Sequence, residues 1–385
     1  MKQVIFALLA LFLVLVIGFV TSSFGFIKTK PISSNLFTIS AAVKKTDITL
    51  GTETDLSLLS KNIKWTPDGH ISYVTFPNGN RRFFLSGNQR TYSIDSPTPL
   101  SLEEALSKNP QVKENFGPSE NIPYRNKYST ISSVVQTEPK NLYHLFAFTQ
   151  NEEQLKKPDG TYDSANFTSS IGLLESFDGG TTWKDFGPVI RGDDYLTPGS
   201  KITGAGEPSA IIKDGYIYVY FVDWAAQIKV QHADQIYLAR TKIFPDGGLG
   251  AFEYYNASEF SADTINMQPV IKLPDTGNTG YTSLPSISYN EYLNQYLAVF
   301  ETNIGFYQAF SIDGINWTQE KLILSFTKPQ STRETGDVWV SYPTLLSDQT
   351  EKFDGSTENK GNLYFATGIW PNTAHQLTVK TFEFK

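Results

Sequence analysis

One pattern recurs along this chain, and few folds can accommodate it. A short apolar strand, opened by a small or polar residue, leads through a turn into an aromatic-rich strand. Four segments carry it: TISSVVQTEPKNLYHLFAFTQNE, EPSAIIKDGYIYVYFVDW, LPSISYNEYLNQYLAVFETN and YPTLLSDQTEKFDGSTENKGNLYFATGIW. A weaker copy, HISYVTFPNGNRRFFLSGN, comes first. Pro208, Pro285 and Pro343 mark equivalent places about 77 and 58 residues apart, and Thr130 opens its copy about as far before Glu207. Further strand-like segments follow each copy, such as SSIGLLESFDGGTTWKDFG, QIYLARTKIF, IGFYQAFSIDGINWTQEKLIL and HQLTVKTFEFK. Units of about four strands that repeat at this length are blades, and five copies predict an all-β, five-bladed β-propeller over 61–385. The first and last units are incomplete, so a strand within 36–50 is expected to close the ring against C-terminal ones, with 28–60 as linker. Residues 97–125 interrupt the rhythm; there SLEEALSK predicts a short helix with Ser101 as N-cap and Glu104 reaching back.

Composition agrees with many short strands. Of 385 residues, 14% are aromatic and 18% charged, and aromatic side chains pack well across a pleated surface. The net charge of -7 opposes binding to a phosphate backbone, so nucleic acid is excluded as the expected partner. The chain has no cysteine, which rules out disulfides and thiolate metal sites. At the N-terminus Lys2 precedes an unbroken apolar run from Val4 to Val20. Its length lies between a long signal-peptide core and a short membrane span. Residues 1–27 are therefore read as a signal peptide or a membrane anchor, which places the remainder outside the cytoplasm, membrane-anchored or secreted, as a monomer.

The stretch SFDGGTTW has the look of chemistry but a structural explanation. It fits the Asp-box pattern S-x-D-x-G-x-T-W at Ser176, Asp178, Gly180, Thr182 and Trp183, and SIDGINW repeats it in part from Ser311 to Trp317. Asp and Ser side chains at a hairpin bind backbone N–H groups, Gly takes positive φ and Trp fills the space between blades. Both copies fall between the third and fourth strands of a unit, away from the axis.

Chemistry belongs instead where the strands converge. In a blade the first strand begins, and the second ends, at the same face. First strands open with His70, Thr130, Glu207, Leu284 and Tyr342; second strands end with Gln150, Asn151, Glu152, Asp223, Trp224, Glu301, Asn303 and Trp370. The expected result is a carboxylate cluster with aromatic walls, which suits glycoside hydrolysis: one carboxyl held protonated, one ionised. Glu207 is the candidate general acid, with Asp223, Glu301 or Glu152 as base or electrostatic partner. His70, Trp224, Asn303, Arg333, Tyr342 and Trp370 are the candidate substrate contacts, with Glu152 among them in the alternative role. An acidic ring can also hold a structural calcium in the central channel through oxygen ligands, although no metal-ligating spacing is visible. H-x-x-x-H, Walker and G-x-S-x-G motifs are absent, so zinc hydrolase, nucleotide and α/β-hydrolase readings have no support.

The stretch GAGEPSAIIKDGYIYVYFVDW, Gly204 to Trp224, resembles the strand pair of five-bladed glycoside hydrolases of the arabinanase, xylosidase and levansucrase/invertase type. An acid directly before Pro, an apolar strand, a Gly turn and a tyrosine-rich strand carry the resemblance, which extends over roughly 60 to 385. It implies a site built from an Asp of the first blade, an Asp of the second and a Glu of the third. Glu207 matches the third. Thr130 stands where the second-blade Asp would be, and the first blade shows His70 with Asp68 two residues earlier. The Asp boxes resemble those of sialidases, but the F/Y-R-I-P motif is missing. The expectation is an exported glycoside hydrolase acting on a carbohydrate. Its alternative is a glycan-binding propeller without catalysis; a third reading is a lactone or phosphate-ester hydrolase with an axial metal.

Overall fold

The computed structural model of the chain describes residues 47–56, 66–96, 101–108, 112–137, 143–156, 159, 161–192, 202–224, 235–272, 282–347, 356–372 and 374–384. The apolar run Val4–Val20 and the strand-like stretch Leu36–Val43 lie outside them. No helix among the described residues is long and apolar enough to cross a membrane.

The architecture is all-β. Strand β1 (Ile48–Asp55) is used last. The first antiparallel sheet comprises β2 (Pro67–Thr75), β3 (Arg81–Gly87), β4 (Arg90–Ser96) and β5 (Val112–Phe116). The second holds β6 (Tyr128–Gln136), β7 (Leu145–Lys156), β8 (Tyr162–Ser176) and β9 (Lys184–Ile190). The third holds β10 (Ile202–Lys213), β11 (Tyr216–Asp223), β12 (Ile236–Ile243) and β13 (Leu249–Tyr255), edged by β14 (Phe260–Ser261). The fourth runs β15 (Thr282–Asn290), β16 (Gln295–Thr302), β17 (Gly305–Ser311) and β18 (Thr318–Ser325). In the fifth, β19 (Val338–Leu346), β20 (Lys360–Ile369) and β21 (Gln376–Phe384) are completed by β1, antiparallel to β21. The closing strand thus starts at Ile48, near the end of the expected 36–50 window. Each meander alternates inward and outward side chains at period two.

The core is divided among the sheet interfaces. Val74, Phe84, Ile131 and Leu145 pack between the first and second sheets, and Phe148, Ile171, Val219 and Phe221 between the second and third. Tyr220, Leu238, Phe300 and Trp317 join the third to the fourth; Leu297, Phe310, Leu363 and Phe382 join the fourth to the fifth. The fifth returns to the first through Tyr364, Val379, Ile71 and Phe83, where the helix α1 (Leu102–Ser107) adds Leu102 and Leu106. Ser101 caps that helix by accepting the Glu104 N–H at 3.2 Å.

The two S-x-D turns join β8 to β9 and β17 to β18. Asp178 accepts the N–H groups of Thr181 and Thr182 at 3.0 and 2.9 Å, and Asp313 those of Ile315 and Asn316 at 2.8 Å. Trp183 meets Phe84, and Trp317 meets Tyr220, edge to face across sheet interfaces.

One feature departs from separate sheets. The start of β10, Ile202–Gly204, pairs parallel with Phe167–Ser169 of β8, which fuses the second and third sheets. Gly204 permits it: at φ +85 a Cβ would lie 2.1 Å from the Ser169 carbonyl oxygen.

Candidate functional site

The first strands meet at the centre and share a bulge. Their ladders slip between Gly206 and Ser209, Ser283 and Ser286, and Ser341 and Thr344. In each, the residue before Pro adopts positive φ: Glu207 +53, Leu284 +51 and Tyr342 +60. Proline disfavours the α region for its predecessor, and strain of this kind, about 1–3 kcal/mol per residue, collects at functional sites.

Hydroxyl bonds between adjacent first strands fix which residues correspond. Ala210 N–H donates to Ser133 Oγ at 2.9 Å, Ile287 to Ser209 at 2.9 Å, Leu345 to Ser286 at 3.1 Å and Ile71 to Thr344 Oγ1 at 3.3 Å. Three residues before each of these amides stand Glu207, Leu284, Tyr342 and, in the first sheet, Asp68. In the second sheet the same place, two before Ser133, holds Ile131. This corrects the sequence alignment, which put His70 and Thr130 there. The first sheet's ladder skips from Pro67 to Ile71, a wider slip in which Gly69, not Pro, follows Asp68.

Asp68, Glu152, Glu207 and Glu301 converge. Burial raises the Glu207 carboxyl well above the carboxylate range, and the charges of Asp68, Glu152 and Glu301 push it further the same way. Its backbone N–H donates to Gln150 Oε1 at 2.7 Å, and Gln150 Nε2 donates to Ser169 Oγ at 2.7 Å. Glu207 is thereby held by a buried glutamine. Burial raises Glu152 to about 7, although Lys127 Nζ, 3.0 Å from its Oε2, opposes this. Lys127 also sits over the Phe167 ring, 3.6 Å from its centre. Asp68 is raised too, by burial, against the Tyr342 hydroxyl that donates to its Oδ1 at 2.9 Å and the charges of His375 and Lys127. Tyr128 hydroxyl donates to the Asp68 carbonyl. Four buried carboxyls with one nearby lysine oppose one another's ionisation, which favours keeping a proton in the site.

The remaining candidates take several positions. His70 is buried, with Nε2 3.8 Å from Glu207 Oε2; burial pulls its pKa down to about 4, against a smaller opposite pull from the Pro343 carbonyl. Glu301 accepts from Ser341 Oγ at 2.5 Å and Gln330 Nε2 at 3.1 Å. Asp223 ends β11 opposite Ala205, and a Cβ on Gly192 would lie 2.9 Å from its carboxyl carbon, so it faces that turn. Trp224 covers Gly206, beside Glu207: a Cβ there would be 2.3 Å from its Cζ3. Asn303 caps the turn at 330–332, accepting the Ser331 N–H at 2.8 Å. Arg333 stacks over Trp370, 4.7 Å from ring centre, and Trp370 is 42% exposed. Tyr342 meets Trp339 edge to face, and Trp339 stacks on His375 at 4.0 Å.

Sequence reasoning gave Tyr128, Lys127, Trp339 and His375 no role. Tyr128 opens the second copy's strand, YSTISS, and Lys127 directly precedes it; proximity to Thr130 was their one signal. A cavity of about 60 Å³ is lined by first-strand residues, His70, Ser72, Ser133, Ser209, Ser286 and Thr344 among them. Among the described residues no three His, Asp or Glu side chains are grouped as metal ligands; the lining is hydroxyls, one imidazole and apolar groups.

No protein-family model matches this chain, and no curated protein matches it. Solved structures do. An α-L-arabinofuranosidase from Lactobacillus brevis superposes with a TM-score of 0.50 at 9% identity, over 83% of this chain and 92% of that one. An α-L-arabinofuranosidase from Podospora anserina in complex with cellotriose gives 0.48 at 9% identity, over 84% and 92%. One from Fusarium graminearum with an iminosugar inhibitor gives 0.47 at 10% identity, over 88% and 98%. The solved structures that this chain resembles include five-bladed β-propeller glycoside hydrolases. At such identities the likeness speaks for the fold.

Proposed function

We propose that this chain is an exported five-bladed propeller that hydrolyses a glycosidic bond, with Glu207 as general acid and Asp68 as the partner carboxylate. One observation carries it. The bulge that displays Glu207 in the third sheet displays Asp68 in the first, and the two carboxyls sense each other's charge. An acid kept protonated by burial beside a carboxylate supported by a tyrosine hydroxyl is the pairing that glycoside hydrolysis uses. In the proposed reaction Glu207 gives its proton to the leaving oxygen as the C–O bond breaks. Asp68 supports the positive charge that develops on the sugar and activates the incoming water or attacks in its place.

Glu152 supplies the third carboxyl, from within β7, which runs on to Lys156, and holds Glu207 in its protonated form. Glu301 acts as an electrostatic partner fixed by Ser341 and Gln330, while Asp223 supports the strand end that carries Trp224. Trp224, Tyr342 and the Trp370–Arg333 pair are the proposed walls for sugar rings, since flat aromatic faces suit pyranose and furanose C–H surfaces. The likeness to the Lactobacillus brevis α-L-arabinofuranosidase makes pentose-containing glycans the first substrates to test. The apolar run from Val4 to Val20 supports export, by a cleaved signal or a retained anchor.

A glycan-binding wheel without hydrolysis is favoured by one observation: Ile131 stands where the second sheet would carry an acid. Screening the protein and its Glu207→Gln variant against aryl glycosides and polysaccharides separates the two. Hydrolysis by the wild type alone supports the enzyme. Glycan binding by both proteins, with no hydrolysis by either, supports the binder.

A further inference from the structure

His70 breaks a rule that its neighbours keep. In four first strands the residue before the bonded amide position is a hydroxyl, Ser133, Ser209, Ser286 or Thr344, and it accepts an N–H from the next sheet. In the first sheet that place holds an imidazole. Its side chain is 4% exposed, and Nε2 has no hydrogen-bond partner within the protein. A buried polar atom left unmatched is costly to the fold, and such local exceptions concentrate at functional sites.

The geometry of the ring says what the exception serves. Thr344 Oγ1 accepts the Ile71 N–H and lies 3.3 Å from Nδ1, so its own proton can go to Nδ1. In the tautomer that takes this proton the ring's N–H is on Nε2, 3.8 Å from Glu207 Oε2. On the other side the ring lines the hydroxyl-rich axial cavity. The groups facing Glu207 are Asp68 and His70 from β2, Tyr128 from β6, Glu152 from β7, Glu301 from β16 and Tyr342 from β19. Of these, His70 is the neutral nitrogen donor. Three of the rest are carboxyls that oppose ionisation of Glu207.

We propose that His70 is a positioning residue for Glu207: its neutral imidazole donates from Nε2 to the Glu207 carboxylate once that group has lost its proton. This rests on the reading of Glu207 as general acid. In each turnover Glu207 passes its proton to the leaving oxygen, and Asp68 takes one from the attacking water. The proton returns to Glu207 through solvent at the mouth, while His70 keeps its own proton and holds the carboxylate in place. The depressed basicity of His70 fits a ring that stays neutral throughout.

His70→Ser restores the hydroxyl that the other sheets carry, so the variant keeps the ring pattern and its fold. The readout is the titration of Glu207 in the full chain, labelled with ¹³C at glutamate carboxyls and assigned with Glu207→Gln. Loss of a donor to the charged form raises a carboxyl, and one hydrogen bond of this kind is worth roughly one pH unit, a factor of about ten. The expected result is an upward move of about one unit in His70→Ser, partly reversed in His70→Gln, which retains an N–H. The alkaline limb of kcat/KM should move with it. A Glu207 titration that is unchanged or lower in His70→Ser overturns the proposal. A wild type that hydrolyses no glycoside overturns the catalytic reading of Glu207 and leaves the carboxyl titration to decide on His70.

Discussion

Replacing Glu152 with glutamine removes one carboxyl from the cluster while keeping its shape. In the folded chain this group titrates at about 7 instead of 4.5, with burial as the main cause. A raised carboxyl binds more protons folded than unfolded, so its contribution to stability is complete below pH 4.5 and is lost as pH rises through about 7. The interval of about 2.5 pH units, at about 1.4 kcal/mol each, corresponds to about 3 kcal/mol. His70 runs the other way: its pKa falls from 6.5 to about 4, so its contribution is present above 6.5 and is lost as pH drops to about 4. The two slopes oppose each other between pH 4.5 and 6.5, which makes a difference measurement necessary. Urea midpoints of the wild type and Glu152→Gln, taken every half unit from pH 4.5 to 8, cancel His70. The stability of the variant relative to wild type should rise by about 3 kcal/mol across that range, most of it between pH 5 and 7. Parallel curves would refute the claim that Glu152 sits protonated in the fold. An opposite slope would show that Lys127 prevails over burial.

Two further outcomes test how the site is held. Gly206→Ala should cost about 1–3 kcal/mol and lower activity at least tenfold, because a Cβ there would lie 2.2 Å from Gln150 Oε1 and 2.3 Å from Trp224 Cζ3; thermal unfolding and initial rates read both effects. Asp178→Ala should cost about 1 kcal/mol through the acceptor lost to Thr181 and Thr182 and leave kcat/KM unchanged, as the turn joins outer strands.

Much of this fold was legible because its signals are local. The strand–turn–strand copies, the Pro after Glu207, Leu284 and Tyr342, and the Asn- and Gly-containing turns all lie within one unit, and so does the Ser101 cap. What failed was register. The first copy lacks the x-Pro mark, and its wider bulge hides Asp68 behind His70, since a two-residue slip preserves the apolar alternation of HISYV. Similarly Thr130 and Ile131 differ by one place, which the hydroxyl bond from Ala210 to Ser133 decides and no local pattern can. Asp223 and Glu301 both end second strands, yet one faces the turn at Gly192 and the other Ser341 and Gln330; side-chain partners brought by loops are invisible in a strand pattern. The parallel pairing of Ile202–Gly204 with β8 was equally hidden, since it depends on two strands running past the ends of their meanders.

The most direct test of the site is how the loss in Glu207→Gln depends on the leaving group. General acid catalysis contributes about 10²–10⁴-fold where the departing oxygen needs a proton. The expected kcat/KM loss is therefore about a thousandfold for unactivated glycosides and close to nothing for dinitrophenyl glycosides. An equal loss on both, or none on either, would contradict Glu207 as the acid of this propeller.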